Sequence, residues 1–122
     1  VRAITDAPAD TARAVQKALR ASREDFLAVV EFIAAEAKGN PNAAYAGSVP
    51  YLMLAGNLVA GWQLARALIA AEDALATDKA FMAAKITTAR FYAEHILPRT
   101  ASLRAAIVDG ADSVTELSLE AF

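Results

Sequence analysis

The sequence holds no cysteine and a single histidine, His95. Without thiols there is neither a disulfide framework nor a thiolate metal site, so the redox compartment is not legible and nothing requires an oxidising one. One imidazole also leaves the HEXXH type of metal spacing absent. Charge of either sign is in short supply: 21% of residues are charged, the net charge is −2 and the pI is near 5.3. Nucleic acid and anionic membrane surfaces call for a basic field that this chain lacks. The N-terminus has neither Met nor the basic-then-apolar run of a signal peptide, which is expected of a mature product or of a piece cut from something longer.

Five glycines and four prolines in 122 residues leave few places where the backbone is forced out of regular structure. What fills the space is apolar: 57% of residues are hydrophobic, and alanine supplies roughly a quarter of the chain, the residue that loses no side-chain entropy on entering a helix. The length suits one domain with a real core. The expectation is an all-α, antiparallel up-down bundle over residues 1–122. It has three long helices, the third kinked near Pro98, and a short C-terminal helix, in the manner of a four-helix bundle.

Thr5-Asp6-Ala7-Pro8 combines an N-cap with a proline in the first turn, and Asp10 adds an acid near the positive end. From there Ala12, Val15, Leu19, Ser22, Phe26, Val29 and Ile33 recur at spacings of three and four, the stripe of a helix facing a core. Arg13, Lys17, Arg20, Glu24, Glu31 and Lys38 fall opposite. Around Phe26 the stripe widens to Leu27, Val30 and Phe32, so deeper burial is expected there. Ser22 and Asp25 offer a weaker second start, but the stripe crosses Ser22 in phase. Gly39-Asn40-Pro41-Asn42 is a stop, with glycine suited to the left-handed position, and residues 43–49 read as a connector.

Ser48-Val49-Pro50 opens the central helix. From Tyr51 to Ala71 its only strongly polar side chains are Asn57, Gln63 and Arg66. Leu54, Leu58 and Trp62 share one face, Leu52, Val59 and Leu68 point elsewhere, and Gly56, Ala60, Ala67 and Ala71 make a third. A helix apolar all round is expected to be buried all round. Its length also matches a membrane span. Arg66 at bilayer depth would cost about 2.5–3.5 kcal/mol, and the flanking helices are amphipathic, so the buried soluble helix is the better reading.

Thr77-Asp78 caps a third helix, antiparallel to the second across a short connection. Met82, Ile86, Ala89, Ala93 and Ile96 form one apolar line, and Phe81, Ala84, Thr88 and Phe91 form an adjacent one. Pro98 is expected to kink or divide the helix near Glu94. The pattern resumes through Thr100, Leu103 and Ile107 to Gly110. Ser113-Val114-Thr115-Glu116 then resembles a capping box opening a last short helix, whose Leu117, Leu119 or Phe122 would cover one end of the core.

No constellation of catalytic or metal-ligating residues appears. His95 lacks a partner at helical spacing and suits a hydrogen bond to a carbonyl freed at the kink, or to solvent. Glu24-Asp25 and Glu72-Asp73 are adjacent in sequence and point to different faces. No glycine-rich phosphate loop exists, since Gly56 and Gly61 lie within a helix. Arg13, Lys17, Arg20 and Arg23 are followed at once by acids and carry no interleaved aromatics, the composition of a solvated face. Tyr51, Leu54, Leu58, Trp62, Phe91 and Pro98 are expected to be structural or core residues. Trp62→Ala would then cost about 3–5 kcal/mol.

The runs Val49-Pro50-Tyr51-Leu52-Met53-Leu54-Ala55-Gly56, Gly61-Trp62-Gln63-Leu64-Ala65-Arg66 and Lys85 to Pro98 (KITTARFYAEHILP) resemble the additional C-terminal domain of one branch of acyl-CoA dehydrogenases, the enzymes similar to methylmercaptopropionyl-CoA dehydrogenase. The match is best from Val49 to Pro98. The resemblance implies a parent flavoenzyme that uses FAD to place an α,β double bond in an acyl-CoA thioester and passes electrons to an electron-transfer flavoprotein. Such a parent would be a homo-oligomer in the cytoplasm, or in the mitochondrial matrix of a eukaryote. It implies no catalytic, cofactor or metal residue here, because the family's catalytic glutamate and its FAD and CoA contacts belong to the preceding core. The expectation is a structural accessory domain packed on that core or on a neighbouring subunit, with Arg90, Tyr92 and His95 as possible inter-domain contacts. The alternative is an autonomous helical interaction module.

Overall fold

The structure is a computed structural model that describes residues 7–122, so the Thr5-Asp6 cap lies outside the described residues. Every regular element among them is helical. Helix α1 (Ala7–Gly39) carries the charged face seen in the sequence to solvent. Its inward line is Thr11, Val15, Ser22 and Val29, all buried, so Thr11 takes the inward place expected for Ala12, which is exposed. The widened stripe around Phe26 is covered only in part: Phe32 is partly buried against the core, while Leu27 and Val30 are exposed.

The stop after α1 holds, but not by a left-handed glycine, since no described residue has a positive φ. The chain turns at Asn40 and starts again at Pro41, which opens helix α2 (Pro41–Ala46) in place of the expected connector. Proline fixes the φ of a first helical turn and needs no N–H partner there, and Ala43-Ala44 continue the turn into buried contacts. Gly47 follows at the α2 to α3 corner, where a Cβ would come within 2.8 Å of Ile107 Cγ2.

Helix α3 (Ser48–Asp73) runs antiparallel to α1, and Asp78 then caps helix α4 (Lys79–His95) by accepting a hydrogen bond from Phe81 N at 3.1 Å. Pro98 divides the third long helix rather than bending it: α4 ends at His95 and helix α5 (Arg99–Val108) begins after the proline. The N–H groups of Ile96 and Leu97 both donate to Tyr92 O, at 2.9 and 3.1 Å, and Arg99 N reaches back only to Ile96 O. Proline has no N–H for the Glu94 carbonyl, so the ladder widens and restarts.

Helix α6 (Ala111–Thr115) and a 3-10 turn (Leu119–Ala121) close the chain. Ser113 lies inside α6, its hydroxyl donating to Gly110 O at 3.0 Å, so the anticipated capping box does not form. Leu117, Leu119 and Phe122 are exposed and cover no core.

The core has two parts. One joins Val15 of α1, Leu68 and Ala71 of α3, Ile86, Ala89 and Ala93 of α4, and Leu97. The other joins Val29, Leu54 and Ile107, of α1, α3 and α5. Between them lies a polar layer, in which Thr100 Oγ1 is 2.9 Å from Asp25 Oδ2, 3.0 Å from Ser22 Oγ and 2.8 Å from Leu97 O. Ser22 Oγ also donates to Leu97 O at 3.3 Å, and Arg104 Nη1 reaches Asp25 Oδ1 at 3.4 Å. Buried hydroxyls are thereby satisfied where two strips of apolar packing meet.

Candidate docking surface

Helix α3 is where the structure departs furthest from the sequence expectation. It packs against α1, α4 and α5 and touches α2, yet among the described residues a run of its large apolar side chains is left uncovered. Among the described residues it is the one helix long and apolar enough to cross a membrane, yet only 17% of its most apolar window is buried. Leu54, Gly61, Leu68 and Ala71 face inward. Leu52 (72%), Met53 (55%), Val59 (54%) and Trp62 (53%) face water, with Val49 and Ile69.

Several core expectations are corrected accordingly. Trp62 is not an anchor: the Arg66 guanidinium lies over its indole, 5.4 Å from the ring centroid. Phe91 is exposed as well and stacks on His95 with centroids 4.4 Å apart, and Phe81, on the same outer line of α4, lies under Lys85 Nζ. The physical reason is shared. In a three-helix cross-section each helix has one side without a neighbour, and apolar residues on that side stay exposed whatever their affinity for a core. Leu54 is fully buried, Leu58 and Tyr51 are partly buried, Tyr51 stacks on Phe26 at 5.9 Å, and Pro98 is an exposed helix breaker.

The three residues expected near a domain boundary are held differently. Arg90 Nε pairs with Glu94 Oε1 at 2.8 Å along α4, and both side chains are half exposed. Tyr92 Oη donates to Asn57 O at 3.0 Å and clamps α4 to α3, while burial pushes the phenol pKa up from its ordinary value.

In the middle of the apolar face of α3 Gly56 has nothing within 4 Å of an added Cβ, and Ala60 lies one turn on. Alongside, Val30, Ile33 and Ala34 of α1, Ala44 and Tyr45 of α2, and Tyr51 of α3 line an open groove of about 420 Å³. The sequence could not point to this surface, because hydropathy marks what avoids water and not which neighbour covers it. Among the described residues there is no cluster of three or more His, Cys, Asp or Glu.

A family model described as Acetyl-CoA dehydrogenase C-terminal like matches residues 1–118. The chain belongs to that family. Membership carries the resemblance, best between Val49 and Pro98 in the sequence, over nearly the whole length. Among curated proteins, 3-methylmercaptopropionyl-CoA dehydrogenase of Ruegeria pomeroyi is 42% identical over 110 residues, covering 88% of this chain and 19% of that enzyme. Broad-specificity linear acyl-CoA dehydrogenase FadE5 of Mycobacterium tuberculosis is 38% identical over 81 residues, covering 62% of this chain and 13% of the relative. The chain therefore spans less than a fifth of either relative. No solved structure matches it.

Proposed function

We propose that this C-terminal-family domain is a structural accessory module of an FAD-dependent acyl-CoA dehydrogenase, held against the catalytic core of the same polypeptide or a neighbouring subunit and carrying no catalytic residue itself. The observation that carries the reading is the family match over residues 1–118, set against relatives of which the chain amounts to 19% and 13%. The described residues hold no glycine-rich loop of the kind that cradles a dinucleotide phosphate, and the larger grooves are lined chiefly by aliphatic side chains. FAD is therefore assigned to the remainder of the parent. That parent is homo-oligomeric and cytoplasmic, oxidises an acyl-CoA thioester and delivers electrons to an electron-transfer flavoprotein.

The test has two parts. The isolated 122-residue chain is assayed for flavin binding and acyl-CoA oxidation, and neither is expected; clear activity in either overturns the non-catalytic role. The coding sequence upstream of Val1 is then read. A flavoprotein core in frame is expected, and an immediate start codon returns the chain to the autonomous interaction module.

A further inference from the structure

We infer that the outer face of α3 from Val49 to Trp62 is the surface by which this domain is held against the remainder of its own polypeptide. The inference rests on the accessory-domain reading and names the face that reading requires. Val49, Leu52, Met53, Val59 and Trp62 project from one side of one helix, with Gly56 and Ala60 leaving a shallow trough between them. Exposed apolar surface concentrated in this way marks a contact, whereas apolar residues scattered singly do not. No charged residue lies in α3 between Val49 and Gln63, and the charge that does reach the face is the Arg66 guanidinium over Trp62, so the face asks its partner chiefly for shape and apolar area.

Three occupants compete. A second copy of the chain would pair α3 with α3 about a two-fold axis. Centred on the Gly56–Val59 stretch, such a pairing sets Arg66 and Gln63 of one copy over the Val49–Leu52 end of the other, which offers no acid. A lipid surface would have to accept Arg66 and Gln63 on the same side as Val59. The remainder of the polypeptide is favoured by the length of chain that its relatives carry beyond this stretch. In relatives of which this chain is 19% and 13%, it is also covalently attached, at an effective concentration that a free partner does not reach.

The chain's two methionines give an internal gauge. Met53 lies on the proposed face and is exposed, while Met82 packs against the first core cluster and is partly buried. With the face open, hydrogen peroxide converts Met53 to the sulfoxide faster than Met82. In the intact native polypeptide, peptide mapping of the peroxide-treated protein is expected to show the reverse order, Met53 at least several-fold slower. Val59→Glu is expected to restore the faster oxidation of Met53, and Leu52→Glu to do the same if the first variant folds poorly. Met53 remaining the faster of the two in the native polypeptide overturns the inference. So does protection that appears only as protein concentration rises, which assigns the face to a second copy, or only with phosphatidylcholine–phosphatidylglycerol vesicles, which assigns it to lipid. The accessory-domain reading fails separately, if the same polypeptide lacks flavin absorbance, whatever the order of the methionines.

Discussion

Leu54 and Trp62 share one helix but not one environment, and their substitutions should separate cleanly. Leu54 is fully buried between Val29 and Ile107. Leu54→Ala in the 122-residue chain should cost about 2–5 kcal/mol, the range for a large aliphatic removed from a packed site. Trp62→Ala should stay within about 1 kcal/mol, because half the indole already faces water and no core collapses around it. Urea melts of both variants check the pair. Tyr92 supplies a pH dependence. Its phenol is pushed above the ordinary value of 10.0 by burial, so in the folded state it holds its proton to higher pH than in the unfolded chain. The fold thus binds the extra proton above the unfolded pKa, and stability falls as pH rises through 10.0 toward the folded value. Tyr92→Phe should flatten that alkaline decline, measured as Tm against pH. It also removes the donor to Asn57 O, so its stability at neutral pH should drop by about 0.5–1.5 kcal/mol.

At the scale of the element, α3 uses its glycines in two ways. A Cβ at Gly61 would meet Leu97 Cδ2 at 2.8 Å and Leu19 Cδ2 at 3.3 Å, so this glycine sets how closely α1 and the α4–α5 break approach α3. Gly61→Leu should destabilise by about 1–3 kcal/mol through overpacking. Gly56 meets nothing, and Gly56→Ala should stabilise the chain by about 0.5–1 kcal/mol from helix propensity alone. Thermal melts of the two variants should move in opposite directions. The elements legible in the sequence were those fixed by one local chemical rule: Asp78 as a cap, Pro98 as a breaker, Pro41 as the end of α1. Helix α2 was missed because six residues are too few to show a period. The capping box at Ser113 does not form because α6 starts earlier, at Ala111, which puts Ser113 inside the helix rather than at its cap.

For the whole molecule, the all-α class and the antiparallel course followed from alanine content, the α1 stripe and the short link before Asp78. The candidate surface did not follow. Leu52, Val59, Trp62, Phe81 and Phe91 have the composition of core residues, and the sequence of one domain does not state how many sides of a helix that domain covers. The chain spans 19% of the Ruegeria relative, so the surface that would complete those residues need not lie in this stretch of sequence at all. The divided core has a consequence for how the bundle comes apart. Helices α1 and α3 run through both apolar clusters, but their third partner changes from α4 to α5 at Pro98, where the Ser22–Thr100–Asp25 layer interrupts the packing. Seven buried residues hold the α4 half and three hold the α5 half. The two halves should therefore open as separate units. Native-state hydrogen exchange should show the amides of Arg99–Val108 released through a lower-energy, partial opening, while those of Ile86–Ala93 wait for unfolding of the whole domain.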